Sequence, residues 1–377
     1  MIKNILLVFS LLFLISCKKT VEEKQPILIT ENKIESDFAT GFDVVKHEGY
    51  SIITLNMPWP NATKPFKYLL LDKGVDVPKS ITYDELIRVP VEEIVVTSTT
   101  HIPGLEALGV LDKLVGFPNT NYISSVAARK LVSEGKIKEL GKNESINLEV
   151  LIDLEPDAVV SFGVNGSNKT LNNIKKSGIP VLYNSEWLEQ HALGRAEWIK
   201  FFGFLFKKEE QANEIFNQIK DDYFAAKALA KTVLNKPTVL SGMPFKDTWH
   251  IPYGNSWAAQ FIEDANASYL WADKKGKGSI ALNFESVLDK AKNANYWIAI
   301  GSYDSKEQLL ASNSHYQQFD MFQKNNIYMS NKKGETGGLL FYEVAPTRPD
   351  LILKDLIKIF HPQLLPNYEL HFYTQLK

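Results

Sequence analysis

The sequence predicts an α/β protein of two similar lobes joined by a long helix, with a β-rich extension ahead of the first lobe. Three observations carry that expectation. The chain has 377 residues, 45% of them hydrophobic, enough for two domains with their own cores. From Val91 onward, short apolar strand-like runs alternate with helix-like segments, which is the grammar of layered α/β folds with mostly parallel pairing. One segment occurs twice: Asn147-Leu148-Glu149-Val150-Leu151-Ile152-Asp153 is echoed, at an offset of 136 residues from 147 to 283, by Asn283-Phe284-Glu285-Ser286-Val287-Leu288-Asp289. Asn, Glu and Asp coincide, and each copy leads into a β-rich run, Ala158 to Phe162 or Tyr296 to Ile300.

Taken in order, the chain opens with Lys3 and an apolar run from Ile5 to Ile15, which is too short to span a bilayer and has the makeup of a signal-peptide core. It ends in Leu14-Ile15-Ser16-Cys17, an arrangement that resembles a bacterial lipoprotein signal. Residues 1–17 are accordingly read as a signal ending at a lipidated cysteine, with an ordinary secretory signal and a chance cysteine as the alternative. Cys17 is the sole cysteine, so no intramolecular disulfide can form. Residues 18–26 are charged, lack apolar periodicity, and read as a tether.

Residues 27–82 form the β-rich extension, with strand candidates at 42–45, 50–55 and 68–71 and a turn at His47-Glu48-Gly49. The first lobe, counted with this extension, runs to 185. It predicts strands over 93–97, 114–117 and 179–183, and helices over 102–108 and 169–177, with Pro103 tolerated in a first turn. No proline interrupts Ser185 to Leu229, where Ala212, Ile215, Phe216, Ile219 and Tyr223 keep helical spacing. Two consecutive helices are expected there. The first, over 186–207, is apolar on more than one face and is read as the bridge between lobes. The second lobe, 208–377, predicts strands over 238–241 and 327–330, helices over 256–264 and 349–360, and a closing strand over 368–373.

The segments Ser98-Thr99-Thr100-His101, Leu105-Glu106-Ala107-Leu108-Gly109, Val115-Gly116, Asn147-Leu148-Glu149 and Leu154-Glu155-Pro156-Asp157-Ala158-Val159-Val160 resemble landmarks of class III solute-binding proteins of ABC importers. So do Asp264-Ala265-Asn266 before Tyr269, Asn283-Phe284-Glu285, and Arg348-Pro349-Asp350-Leu351. The resemblance covers roughly 91–362; the extension departs from the smallest members. It implies Rossmann-like lobes, a ligand cleft between them, little closure on binding, and a ferric-siderophore-type iron complex, haem or cobalamin as cargo. It also implies that Glu149 and Glu285 dock the permease subunits. Capped by Asn147 and Asn283, each carboxylate would stand exposed in a first helical turn, where it suits both the helix dipole and recognition by arginine.

Open α/β sheets bind small molecules beyond the carboxyl ends of their strands. That rule nominates Asn119, Tyr122 and Asn165 in the first lobe, and Trp249, His250, Tyr253, Tyr303 and Arg348 in the second. Aromatic faces suit a planar or metal-complex ligand, and Arg348 suits a carboxylate. Trp257, on a predicted helix, reads as a core residue. The expected ligand is a metal chelate, with no resident cofactor and no metal held directly: the seven histidines are dispersed. His101 and His250 are placed on loops facing the cleft, which leaves an axial haem contact or a two-histidine ion site as the lesser alternative.

A net charge of −2 offers no global reason to bind nucleic acid. No Gly-x-Ser-x-Gly elbow or Walker-type loop is present, so the chain reads as a non-enzyme. The expected product is a monomeric, lipid-anchored receptor of the cell envelope. An exported hydrolase on a bilobal scaffold and a surface interaction protein are the readings from other function classes.

Overall fold

The computed structural model describes residues 32–301 and 303–377; Cys17, the signal and the tether lie outside the described residues. Residues 32–377 form one compact unit. The extension is a five-stranded sheet whose strands, Asn32–Ile34, Phe42–His47, Tyr50–Leu55, Phe66–Asp72 and Glu85–Val89, lie side by side in chain order. The first four pair antiparallel, and the last joins in parallel. Residues 73–84 carry the chain back along the sheet, which is why Glu85–Val89, unmarked in the sequence reading, enters in that direction. Gly49 takes φ +78 in the turn between Phe42–His47 and Tyr50–Leu55. Alternation puts Ile53 and Leu55 on the buried face, together with Tyr68, Leu70, Ile87 and Val89.

Both lobes repeat one parallel core. In the first, Ile94–Val96 lies between Leu114–Phe117 and Ala158–Ser161, with Val181–Tyr183 beyond the latter and Lys138–Glu139 at the opposite edge. In the second, Thr238–Ser241 lies between Ser268–Tyr269 and Tyr296–Ala299, with Ile327–Met329 beyond. The two echoed helices, Leu148–Asp153 and Phe284–Ala291, each lead into the strand that pairs beside the first strand of their lobe. Strands buried on both faces need near-continuous apolar runs, and Ile94–Val96 and Ala158–Ser161 are buried throughout. A short antiparallel strand, Thr374–Gln375, closes the second sheet a few residues after the expected 368–373, because Phe372 and Tyr373 are taken into the core instead.

The expected helix over 186–207 is two short ones, Ala192–Glu197 and Ile199–Phe206, broken at Trp198. The Trp198 indole donates to Glu189 Oε1 at 3.0 Å, and its ψ of −8° interrupts the α ladder. The next helix, Glu209–Ala230, whose 22 residues span about 33 Å at ~1.5 Å each, also touches both lobes. Near its start Gln211 donates to the Ala107 carbonyl of the first lobe. Toward its end Tyr223 donates to Asp264 of the second, where Lys227 also pairs.

Candidate ligand-binding cleft

The carboxyl ends of both parallel cores meet at a cleft. Ser98, Asn119, Phe162 and Asn184 follow strands of the first lobe, and Gly242 and Ile300 follow strands of the second. A central cavity of about 390 Å³ is lined by Ser98, Thr100, Trp187, Arg195, Trp257 and Tyr342. Toward the first lobe it shares Ser98, Thr99 and Tyr342 with a space of about 560 Å³ that adds Asn119, Tyr122, Lys142 and Asn143. Toward the second it shares Trp257, Phe261 and Phe341 with a mostly apolar cavity of about 300 Å³ that reaches His250.

The cleft combines aromatic faces with positive charge. Tyr122, Tyr342 and Trp187 are 64%, 56% and 39% exposed, a concentration of large apolar surface that a folded chain rarely leaves in water without use. Arg195 sits 5.7 Å from the Trp257 ring centroid, and Trp257 stacks on Phe341 at 6.5 Å. Arg195 Nε and Nη2 both donate to Glu186 Oε2, at 2.9 and 2.8 Å. A guanidinium has five N–H donors, so this pairing orients it and leaves donors for an anionic group. Lys142 adds a second cation at the cleft wall.

Beside the cleft the lobes are tied together. Glu343, buried in the second lobe, accepts the Ser124 and Ser125 N–H groups of the first at 2.6 and 2.8 Å. Burial pushes its carboxyl pKa up. Thr336 donates to the Asn121 carbonyl at 2.9 Å and Ser124 to the Gly338 carbonyl at 3.1 Å. A Cβ at Gly338 would run into the Tyr122 carbonyl, so this crossing needs glycine there.

Of the nominated residues, Asn119 and Tyr122 line the first-lobe side and His250 the second-lobe cavity. Asn165 instead folds onto its own loop, accepting the Ser167 N–H at 3.0 Å, while Phe162 of that loop lines the first-lobe space and, with Val164, a further cavity of about 270 Å³ beside Ser98, Trp187 and Arg195. Tyr253 packs beneath Gly276, and Tyr303 packs against the second-lobe core; neither lines a cleft cavity described above. Trp249 needs correction: it is 1% exposed and packs against Trp297, Tyr316 and Phe319. It lies on a strand, Thr248–Pro252, where period-2 alternation turns Trp249 and Ile251 inward and His250 outward. Arg348 also needs correction. It forms a fork with buried Asp350, at 2.9 and 2.7 Å, and lines a separate groove on the other face of the helix Leu340–Val344.

Trp257, read as core, is instead a cleft wall, and Trp187, Arg195, Lys142 and Tyr342 were missed. One signal was available for Arg195: the three charges in the apolar stretch Ala192 to Phe206, Arg195, Glu197 and Lys200, require partners. His101, placed by sequence on a cleft-facing loop, is 2% exposed, its Nδ1 has no hydrogen-bond partner, and burial lowers its pKa to about 3. Among the described residues no three His, Cys, Asp or Glu side chains gather as a metal site.

The echoed asparagines cap their helices: Asn147 accepts from Val150 N–H at 3.3 Å and Asn283 from Ser286 N–H at 2.9 Å. Glu149 and Glu285 therefore occupy matching first turns, and both are exposed.

Such a duplicated parallel core, with its cleft at the strand ends, matches one family directly: a family model described as periplasmic binding protein covers residues 94–333, more than half of the chain. The chain belongs to the periplasmic binding protein family. It is thus a solute-binding protein of the ABC-importer class, and not an enzyme. An uncharacterised lipoprotein of Methanocaldococcus jannaschii is 26% identical over 82% of this chain and 76% of its own length. A possible iron-binding periplasmic solute-binding protein of Staphylococcus epidermidis superposes with a TM-score of 0.57 at 19% identity, over 72% of this chain and 99% of that one. The periplasmic haem-binding protein of Vibrio cholerae gives 0.57 at 16% identity, over 72% of this chain and all 100% of that one.

Proposed function

We propose that this periplasmic binding protein captures a ferric-siderophore-type complex or a related tetrapyrrole, haem or cobalamin, and delivers it to an ABC permease. The observation that carries the reading is the cleft itself. Trp187, Trp257, Tyr122 and Tyr342 offer apolar faces around Arg195 and Lys142, which suits a rigid complex with an anionic periphery. The similar proteins from Staphylococcus epidermidis and Vibrio cholerae, described as iron-binding and haem-binding, support the same ligand class. Glu149 and Glu285 are the proposed permease contacts, and Cys17 the proposed lipid anchor of a monomer held at the outer face of the cytoplasmic membrane or in the periplasm.

The test is titration of residues 32–377 with ferric siderophores, haemin and cobalamin, following total tryptophan fluorescence and, for the variants, heat of binding by calorimetry. Saturable binding of one of them, lost in Trp257→Ala and weakened in Arg195→Gln, is expected. Failure of all three ligands to bind would overturn the proposed cargo.

A further inference from the structure

We propose that the N-terminal sheet is part of the ligand site, and that Trp59 is a positioning residue that fixes the cleft loop 162–168 from behind. The front of this loop supplies Phe162 and Val164 to the cleft cavities. Its back is pressed against the turn that follows strand Tyr50–Leu55. A Cβ at Gly163 would stand 2.8 Å from the Pro58 carbonyl oxygen and 3.1 Å from Trp59 Cβ, and one at Gly166 would stand 3.2 Å from the Trp59 indole. The two glycines therefore let the loop lie directly on Trp59, closer than residues with side chains allow. Trp59 is itself held edge-on to Tyr183, with centroids 5.4 Å apart.

The rest of the extension makes this support rigid. Tyr183 N–H donates to the Tyr68 hydroxyl at 2.6 Å, and Lys175 of the first lobe pairs with Glu85 at 2.9 Å. The turn of residues 37–41 wraps two buried carboxylates of the central segment. Asp37, Phe38 and Ala39 N–H groups donate to Glu197, and Thr40 and Gly41 N–H groups to Glu189, all within 2.8–3.1 Å. Buried carboxylates with several N–H donors are strongly held, because removing a donor leaves charge unsolvated. The family match begins only at residue 94, so this support is an addition in front of the common core. A loop with two glycines and little buried side chain, Gly163 to Ser167, would otherwise sample many conformations and lose entropy on binding. Held by Trp59, it presents an apolar edge in place, which favours the apolar flank of a ligand.

The inference rests on reading the cleft as a ligand site, and two measurements keep the two claims apart. Hydrogen exchange of the ligand-free protein reads the support directly. In Trp59→Ala, amides of 163–168 should exchange about tenfold faster, the strand Ala158–Ser161 should be unchanged, and Trp59→Phe should restore protection. Titration with haemin and a ferric hydroxamate reads the consequence: Trp59→Ala should weaken whichever of them the parent protein binds by about tenfold, and Trp59→Phe should regain most of it. If neither probe binds the parent, the ligand reading fails while the exchange result still decides the role of Trp59. Should Trp59→Ala fail to fold, Gly166→Ala crowds the same ring from the loop side and should speed the same amides. Unchanged exchange of 163–168 in a folded variant would overturn the proposal, as would affinity lost from Trp59→Ala and not regained with Phe.

Discussion

The two lobes share four parallel strands in one order and an asparagine-capped helix with an exposed glutamate in its first turn, yet their cleft walls are built differently. On the first lobe the loop after Ala158–Ser161 leans on a separate sheet, through Trp59. On the second, the hairpin Met243–Phe245 and Thr248–Pro252 pairs with Ser279–Leu282, and an apolar cavity lies beside it behind Trp257. The difference teaches that the duplicated part fixes where the lobes face, while unshared additions fix what the cleft feels like. Topology and helix caps depend on local pattern, so they survive in both copies. Wall chemistry depends on which additional segment happens to cover the strand ends.

The comparison breaks most visibly at the glutamates. Replacing both Glu149 and Glu285 by alanine should abolish uptake and leave ligand affinity intact, with each single change intermediate; if one glutamate alone accounts for the loss, the lobes are not equivalent at the permease. The two tryptophans of the second lobe sharpen the wall argument. Trp249→Ala removes a fully buried ring from the aromatic core and should cost about 3–5 kcal/mol in denaturant unfolding. Trp257→Ala should cost less stability and much more affinity, and the reverse order would return Trp257 to the core.

A smaller asymmetry is acid sensitivity of the first lobe. Unfolded His101 binds a proton below pH about 6.5, whereas the folded form resists it until about 3, so between those values the unfolded state holds more protons. Stability should then fall as pH drops through that window, by up to about 1.4 kcal/mol per unit, and His101→Gln should flatten this part of the thermal-unfolding profile. The smallest effect expected is at the caps. Asn147→Ala and Asn283→Ala should each cost about 1 kcal/mol in unfolding free energy, and by similar amounts if the two helix starts are equivalent.

Much of the fold was legible because it is written in near-neighbour pattern. The caps at Asn147 and Asn283, the strand Thr238–Ser241 and the helix Pro349–Phe360 all sit where residue type and spacing put them. The site was less legible. Trp249 was misread because it was placed beyond the carboxyl end of the strand 238–241, although the alternation of Trp249, His250 and Ile251 was available. Arg348 was misread because a basic residue at a helix start looks free until buried Asp350, two positions later, is seen to hold it. Arg195 was missed because its partner Glu186 and its aromatic neighbour Trp257 come from different segments.

The sequence by itself determined that there are two similar lobes, that each begins its echoed helix with a capped, exposed glutamate, and that a β-rich segment precedes them. Those features follow from backbone hydrogen bonding and apolar periodicity within a few residues. Only the tertiary structure decided that the expected helix over 186–207 breaks at Trp198, that Trp257 and Arg195 rather than Trp249 and Arg348 form the cleft, and that Trp59 stands behind loop 162–168. The physical reason is one of range. Burial, ion pairing and close approach at glycine are contacts between residues far apart in the chain, and only packing brings them within reach of one another.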